Sequence, residues 1–179
     1  MKKVFEKIVN SFFHIFKIRN DVIIFECGRN KVDDNPLAIY EYMKKNNLDK
    51  NYKLVFLVKK GTDVSSLDSK DVYYYRTFSE LYYKATAKYL IRSQSIGGII
   101  KKRKGQIVIY ADHGIFGLKK SGYDVTNAKD RPPAPMTYGW DYFISASSYN
   151  SKLLRSSTGY RGKILNLGFP VVMFICSFI

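Results

Sequence analysis

The strongest constraint on the fold is a rhythm. Seven short runs of aliphatic, β-branched and aromatic residues recur along the chain, at 21–27, 53–58, 72–75, 89–91, 107–110, 142–144 and 163–165. Such runs read as buried strands. Between several of them lie residues at helical spacing. Asn35-Pro36 opens one helix, with Asn as N-cap and Pro in the first turn, where its missing N–H costs nothing. Leu37, Ile39, Tyr40 and Met43 give that helix its packing side, and 44–47 end it. Phe78, Leu81, Tyr82 and Ala85 mark a second helix over 78–87, and 147–155 a third. Strand–helix–strand alternation implies a parallel sheet covered by helices. Crossovers of this kind are nearly always right-handed.

The first seventeen residues have a different pattern. Phe5, Ile8, Val9, Phe12, Phe13 and Phe16 fall on one helical stripe, while Lys3, Lys7, Asn10, His14 and Lys17 lie off it. Two readings stay open for this basic amphipathic helix. It can lie in a membrane interface, held by buried rings and anionic lipid, or it can pack on its own domain.

Charge sharpens the question of partners. Thirty Lys and Arg stand against 15 Asp and Glu, for a formal charge of +15. That excess favours polyanions: anionic lipid, a phosphate-rich polymer or nucleic acid. The chain also carries 15 Tyr and 12 Phe, and aromatics interleaved with cations can hold single-stranded RNA. Here they fall at strand and helix core positions, which ranks nucleic acid below the other two. Cys27 and Cys176 have no Cys or His neighbours at ligand spacing, so neither a zinc site nor a disulfide framework is expected. No apolar run reaches the roughly 20 residues of a membrane-spanning helix.

One stretch is placed for chemistry. Gly105 to Thr126 begins with the run Ile107-Val108-Ile109-Tyr110 and passes through Ala111-Asp112-His113-Gly114 into a segment carrying Gly117, Lys119, Lys120 and Gly122. A strand that ends in His-Gly delivers an imidazole to the carboxyl end of a sheet, where open α/β folds bind ligands. An imidazole with an ordinary pKa near ~6.5 exchanges protons at neutral pH. Asp112 is adjacent, yet neighbouring side chains on extended backbone point to opposite faces. The run 101–104 (K-K-R-K) reads as a solvated turn.

The order of these motifs resembles the CDP-glycerol glycerophosphotransferase family, which builds teichoic-acid and related polyol-phosphate polymers. Four stretches carry the likeness. They are Asp34-Asn35-Pro36 with 38–42 (A-I-Y-E-Y); 82–89 (Y-Y-K-A-T-A-K-Y); His113-Gly114 with Leu118-Lys119-Lys120 and Gly122; and 141–145 (D-Y-F-I-S) with Gly168-Phe169-Pro170. Departures accompany it. Asp112 replaces a Trp, one extra residue separates His113 from Lys119, and Val171 follows Pro170 where the family has Arg.

The resemblance implies an α/β fold, a Rossmann-like parallel sheet with helices on both faces, similar to the amino-terminal half of a glycosyltransferase-B fold. The chain then divides into three segments: the basic amphipathic helix at 1–17, a candidate membrane anchor from its own pattern; a domain at 18–170, acceptor-side by the resemblance; and an apolar tail at 171–179 that has no counterpart in the family, read as a truncation or frameshift end. The activity it implies is transfer of glycerol phosphate from CDP-glycerol to a lipid-linked acceptor at the cytoplasmic face of the membrane, with the donor-binding half missing. His113 is the implied base, Gly114 lets backbone approach substrate, and Lys119 and Lys120 contact phosphate. No metal or other cofactor is implied. The competing reading is a non-catalytic basic module that binds RNA or anionic membrane.

Overall fold

The computed structural model of the chain describes residues 2–28, 31–94, 98–111, 123 and 139–170. The elements run α1 (Lys2–Phe13), β1 (Arg19–Glu26), α2 (Asp34–Lys45), β2 (Lys53–Val58), β3 (Val72–Tyr74), α3 (Phe78–Thr86), β4 (Ala87–Arg92), β5 (Ile107–Ala111), β6 (Tyr142–Ser145), α4 (Ser148–Thr158) and β7 (Lys163–Asn166). All seven expected strands form. They build one parallel sheet in the order β3-β2-β1-β4-β5-β6-β7. The chain winds outward from β1 to β3, returns to the other side of β1 as β4, and winds outward again. The order therefore reverses between β1 and β4, and such a switch point opens a crevice at the carboxyl ends of the strands.

Strands buried on both faces explain the near-continuous apolar runs. Along β1, Val22 and Ile24 face one layer with Val55 and Leu57 of β2. The alternate residues Ile23 and Phe25 face the other, with Leu54 and Phe56. Leu154 of α4 and Tyr83 of α3 join the first layer, while Tyr40 and Met43 of α2 join the second. Helices thus cover both faces. Phe25 and Phe56 are fully buried and stack with centroids 5.8 Å apart, Tyr40 meeting both edge-on. Each such ring contributes about 1.5–3 kcal/mol by leaving water.

Local chemistry sets the helix ends. Thr77 caps α3 by accepting from the Glu80 N–H, as suits T-F-S-E, while the Glu80 carboxylate accepts from the N–H of Arg76, one residue before the cap. Ser147 caps α4 in the same way through the Asn150 N–H, and Gly159 ends it at φ +69°. The start of α2 differs from expectation. Asp33 occupies the N-cap, and Asp34 turns the chain in with φ +66°, a conformation Asp tolerates. Asn35 is already inside the helix and buried.

The amino-terminal helix is shorter than its pattern, and its stripe divides in two. Phe13 is buried, and Val9 and Phe16 pack beside it, against Ala85, Leu81 and Tyr82 of α3. Phe5, Ile8 and Phe12, together with Val4 and Ile15, remain exposed. The apolar surface is wider than one neighbouring helix can cover. Arg103 pins this arrangement from the basic run: Nη1 donates to the Phe16 and Ala85 carbonyls and Nη2 to the His14 carbonyl. Lys102 pairs with Asp141 at 2.6 Å. Two members of the expected solvated turn are therefore structural.

Candidate functional site at the switch point

Glu26 ends β1 and Arg92 ends β4, and the two are direct neighbours across the switch point. Glu26 is fully buried. A carboxylate there requires compensation, because isolated buried charge is costly. Three groups supply it. Lys84 Nζ lies 3.0 Å from Oε1, the Tyr75 hydroxyl donates to Oε1 at 3.2 Å, and Arg92 Nε approaches Oε2 at 2.5 Å. That last contact is an ion pair whose N–H direction misses hydrogen-bond alignment, and neither atom has another hydrogen-bond partner among the described residues. Lys84 also pairs with Glu80 at 2.9 Å, one helical turn away, and its ammonium stands 5.0 Å from the Tyr75 ring centroid.

The electrostatics follow from that geometry. Burial alone would raise the Glu26 carboxyl; Arg92 and Lys84, with hydrogen bonds from Lys84 and Tyr75, outweigh it and hold the group below the ordinary carboxylate range. Burial and the Glu26 charge push the Tyr75 phenol upward. Both groups keep one protonation state across the neutral range. The cluster is therefore suited to holding the ends of β1, β4 and α3 in fixed relation, not to exchanging protons.

The crevice beside it is close-fitting. The Ser93 N–H donates to the Glu26 carbonyl, and Gly28 lies so near the Gln94 side chain that a Cβ would overlap it at 2.0 Å. A cavity of about 40 Å³ touches Lys84, Arg92, Gly98 and Lys102, room for ordered water. A larger open cleft, about 1120 Å³, lies over the carboxyl ends of β2 and β3. Cys27 is buried, and that burial lifts its thiol to about 12, which makes it unreactive at neutral pH. Among the described residues no cluster of His, Cys, Asp and Glu could hold a metal ion, and no helix is long and apolar enough to cross a membrane.

Of the residues singled out in the sequence, Asp112, His113, Gly114, Lys119 and Lys120 lie outside the described residues, as does 171–179. The strand leading to them is described. β5 lies between β4 and β6, with Tyr110 opposite Arg92 and Ala111 opposite Ile144. Its carboxyl end is thus one strand from the ionic cluster. The cluster itself was missed in the sequence, although it left a trace. Glu26 and Arg92 each follow directly on an apolar run, 22–25 (V-I-I-F) and 89–91 (Y-L-I), and Glu80 and Lys84 stand four apart on a helix, a pairing distance. A charge at the end of a buried strand demands a counter-charge.

Comparison with known proteins gives the lineage. The family model described as CDP-Glycerol:Poly(glycerophosphate) glycerophosphotransferase matches residues 8–176. A teichoic acid poly(glycerol phosphate) polymerase of Bacillus spizizenii is 31% identical over 166 residues, which is 85% of this chain and 41% of that protein. The polymerase of the same name in Bacillus subtilis is 27% identical over 165 residues, 86% of this chain and 22% of that protein. The chain thus spans less than half the length of these curated relatives. Among solved structures, the wall teichoic acid polymerase TagF superposes with a TM-score of 0.77 at 22% identity, over 96% of this chain and 45% of TagF. A TagF variant soaked with CDPG superposes with a TM-score of 0.76 at 20% identity, over 96% of this chain and 47% of that one. At these identities the superpositions establish the shared fold. The match over residues 8–176 establishes the lineage: the chain belongs to the CDP-glycerol:poly(glycerophosphate) glycerophosphotransferase family.

Proposed function

We propose that this chain is the acceptor-side part of an enzyme that moves glycerol phosphate, or a related polyol phosphate, from CDP-glycerol to a membrane-linked teichoic-acid or capsule acceptor, releasing CMP. The observation that carries the reading is the path of β5. It runs to the carboxyl edge of the sheet, one strand from the switch point, and His113-Gly114 follow within three residues of Ala111.

The acceptor hydroxyl is a weak nucleophile until its proton leaves as the new O–P bond forms. The His113 imidazole takes that proton, a role with a typical gain of ~10²–10⁴ fold. The bond between the transferred phosphorus and the bridging oxygen breaks, and CMP departs with the electron pair. Charge spreads over the phosphoryl oxygens during transfer, and Lys119 and Lys120 stabilise it. Gly114 permits close approach of the backbone. The buried ionic cluster keeps β4 rigid beside β5, and so fixes the edge on which the base depends.

Residues 18–170 form the acceptor-side domain. The outward face of α1, within residues 1–17, seats it on the anionic cytoplasmic face of the membrane. Exposure of Val4, Phe5, Ile8, Phe12 and Ile15 supports this, as does the +15 charge. The donor-binding groups belong to the part of the relatives' length this chain does not span, so the chain alone turns over no CDP-glycerol. The test is release of CMP from CDP-glycerol with a poly(glycerol phosphate) primer. It is run on the chain alone and on the chain joined to the remaining length of the Bacillus spizizenii polymerase. CMP release by the chain alone would overturn the division into halves.

A further inference from the structure

We propose that the open cleft over β2 and β3 is a binding site for an anionic amphiphile, a lipid whose phosphate headgroup meets the cations of its rim while the adjoining acyl carbons lie on its aromatic wall. The inference rests on the membrane-facing role of α1 but adds a site to it.

The rim comes from two strand ends. Lys59 and Lys60 leave β2 in an exposed turn, closed by the Thr62 N–H on the Lys59 carbonyl. Arg76 follows β3. Neither lysine ammonium nor the Arg76 guanidinium has an ion-pair partner among the described residues. Glu80, the carboxylate that lines the same cleft, is neutralised by Lys84. The rim therefore presents uncompensated positive charge around a concave space, where a phosphate gains most from it.

Arg76 is held in a costly conformation. Its φ is +65°, a left-handed backbone that an arginine adopts only when its surroundings impose it. The Tyr75 N–H is tied to the Val58 carbonyl and the Arg76 N–H to Glu80. Glu80 is in turn locked through Lys84 to Glu26. The buried cluster thus fixes where the Arg76 side chain leaves the backbone.

Apolar side chains line the same cleft: Phe13, Phe78, Leu81 and Ile99. Phe78 is 62% exposed although it sits at a helix-packing position, and its ring lies 5.1 Å from Phe13. Phe13 touches the exposed Phe12 at 5.2 Å. Ring contacts through the buried Phe13 therefore link the exposed Phe12 on the outward face of α1 to the exposed Phe78 in the cleft. A free phosphate would leave the aromatic wall unused, and a purely apolar guest would leave three cations unused. An amphiphile with an anionic head matches both.

The test titrates the whole chain with dodecyl phosphate below its micellar concentration, beside inorganic phosphate and the neutral dodecyl maltoside. Saturable binding of one dodecyl phosphate, at least tenfold tighter than either control, is expected. The triple variant Lys59→Gln, Lys60→Gln, Arg76→Asn should weaken it at least tenfold, whereas Lys152→Gln on α4 should not. Asn accepts the left-handed backbone, and an unchanged melting temperature confirms the fold. Equal affinity for inorganic phosphate or for the maltoside, or full binding by the triple variant, overturns the site. Flotation on phosphatidylglycerol vesicles with Phe5→Ser and Ile8→Ser is read separately. Lost flotation with intact dodecyl phosphate binding supports both readings. Flotation unchanged by Phe5→Ser and Ile8→Ser removes the α1 reading alone, and flotation without dodecyl phosphate binding removes the cleft alone.

Discussion

Replacing Glu26 by Gln keeps the volume and removes one charge from the centre of the fold. In the native protein Oε1 receives Lys84 and Tyr75, and Oε2 pairs with Arg92. The amide leaves Lys84 with Glu80 but leaves Arg92, at 17% side-chain exposure, without a carboxylate. Breaking a buried pair from one side costs about 3–5 kcal/mol. For a chain of this length that lowers the melting temperature by roughly 6–20 °C. The urea midpoint should fall at unchanged slope. The pH dependence supplies a second check. The Glu26 carboxyl is held below its unfolded value of 4.5, so its stabilisation is complete above that pH and is lost as pH falls through the lower folded value. The gap between wild type and Glu26→Gln should therefore be constant from pH 7 to about 5 and narrow in stronger acid. A variant within 1 kcal/mol of wild type at pH 7, or a gap that ignores acid, would refute the reasoning.

Other outcomes follow from named contacts. Arg103→Met removes the donors to the Phe16, Ala85 and His14 carbonyls; a loss of roughly 2–4 kcal/mol is expected, with faster proteolysis near residue 17, and equal proteolysis would deny that Arg103 pins α1. Leu154→Ala empties a fully buried site between α4 and the sheet and should cost about 2–5 kcal/mol by chemical denaturation. Trp140 stacks on Tyr110 at 3.6 Å, so its fluorescence should report the same unfolding midpoint as far-ultraviolet dichroism; separate midpoints would mean that the β5–β6 region opens on its own.

The sheet was legible in the sequence because strands buried on both faces leave uninterrupted apolar runs, as in 53–58 (K-L-V-F-L-V), and helical spacing marked α3 and α4 between them, although their caps at Thr77 and Ser147 came only from the fold. What stayed hidden depends on long-range geometry. Periodicity placed Phe5 and Phe13 on one stripe, but only the position of α3 decides that Phe13 is covered and Phe5 is not. The same holds for Glu26 and Arg92, 66 positions apart and adjacent only because the strand order reverses between them. Lys101 to Lys104 looked uniform as a charge run. The fold gives Arg103 three carbonyls and Lys102 a carboxylate, and leaves Lys101 and Lys104 to solvent. The catalytic reading of His113 came from the strand that precedes it and from family resemblance.

The most direct measurement is CMP release by the chain joined to the rest of the Bacillus spizizenii polymerase, compared between wild type and His113→Ala at saturating CDP-glycerol and primer. A fall of ~10²–10⁴ fold in kcat with an unchanged melting temperature is the expected result for a lost general base. Undiminished turnover by His113→Ala would contradict it and remove the imidazole from the transfer step.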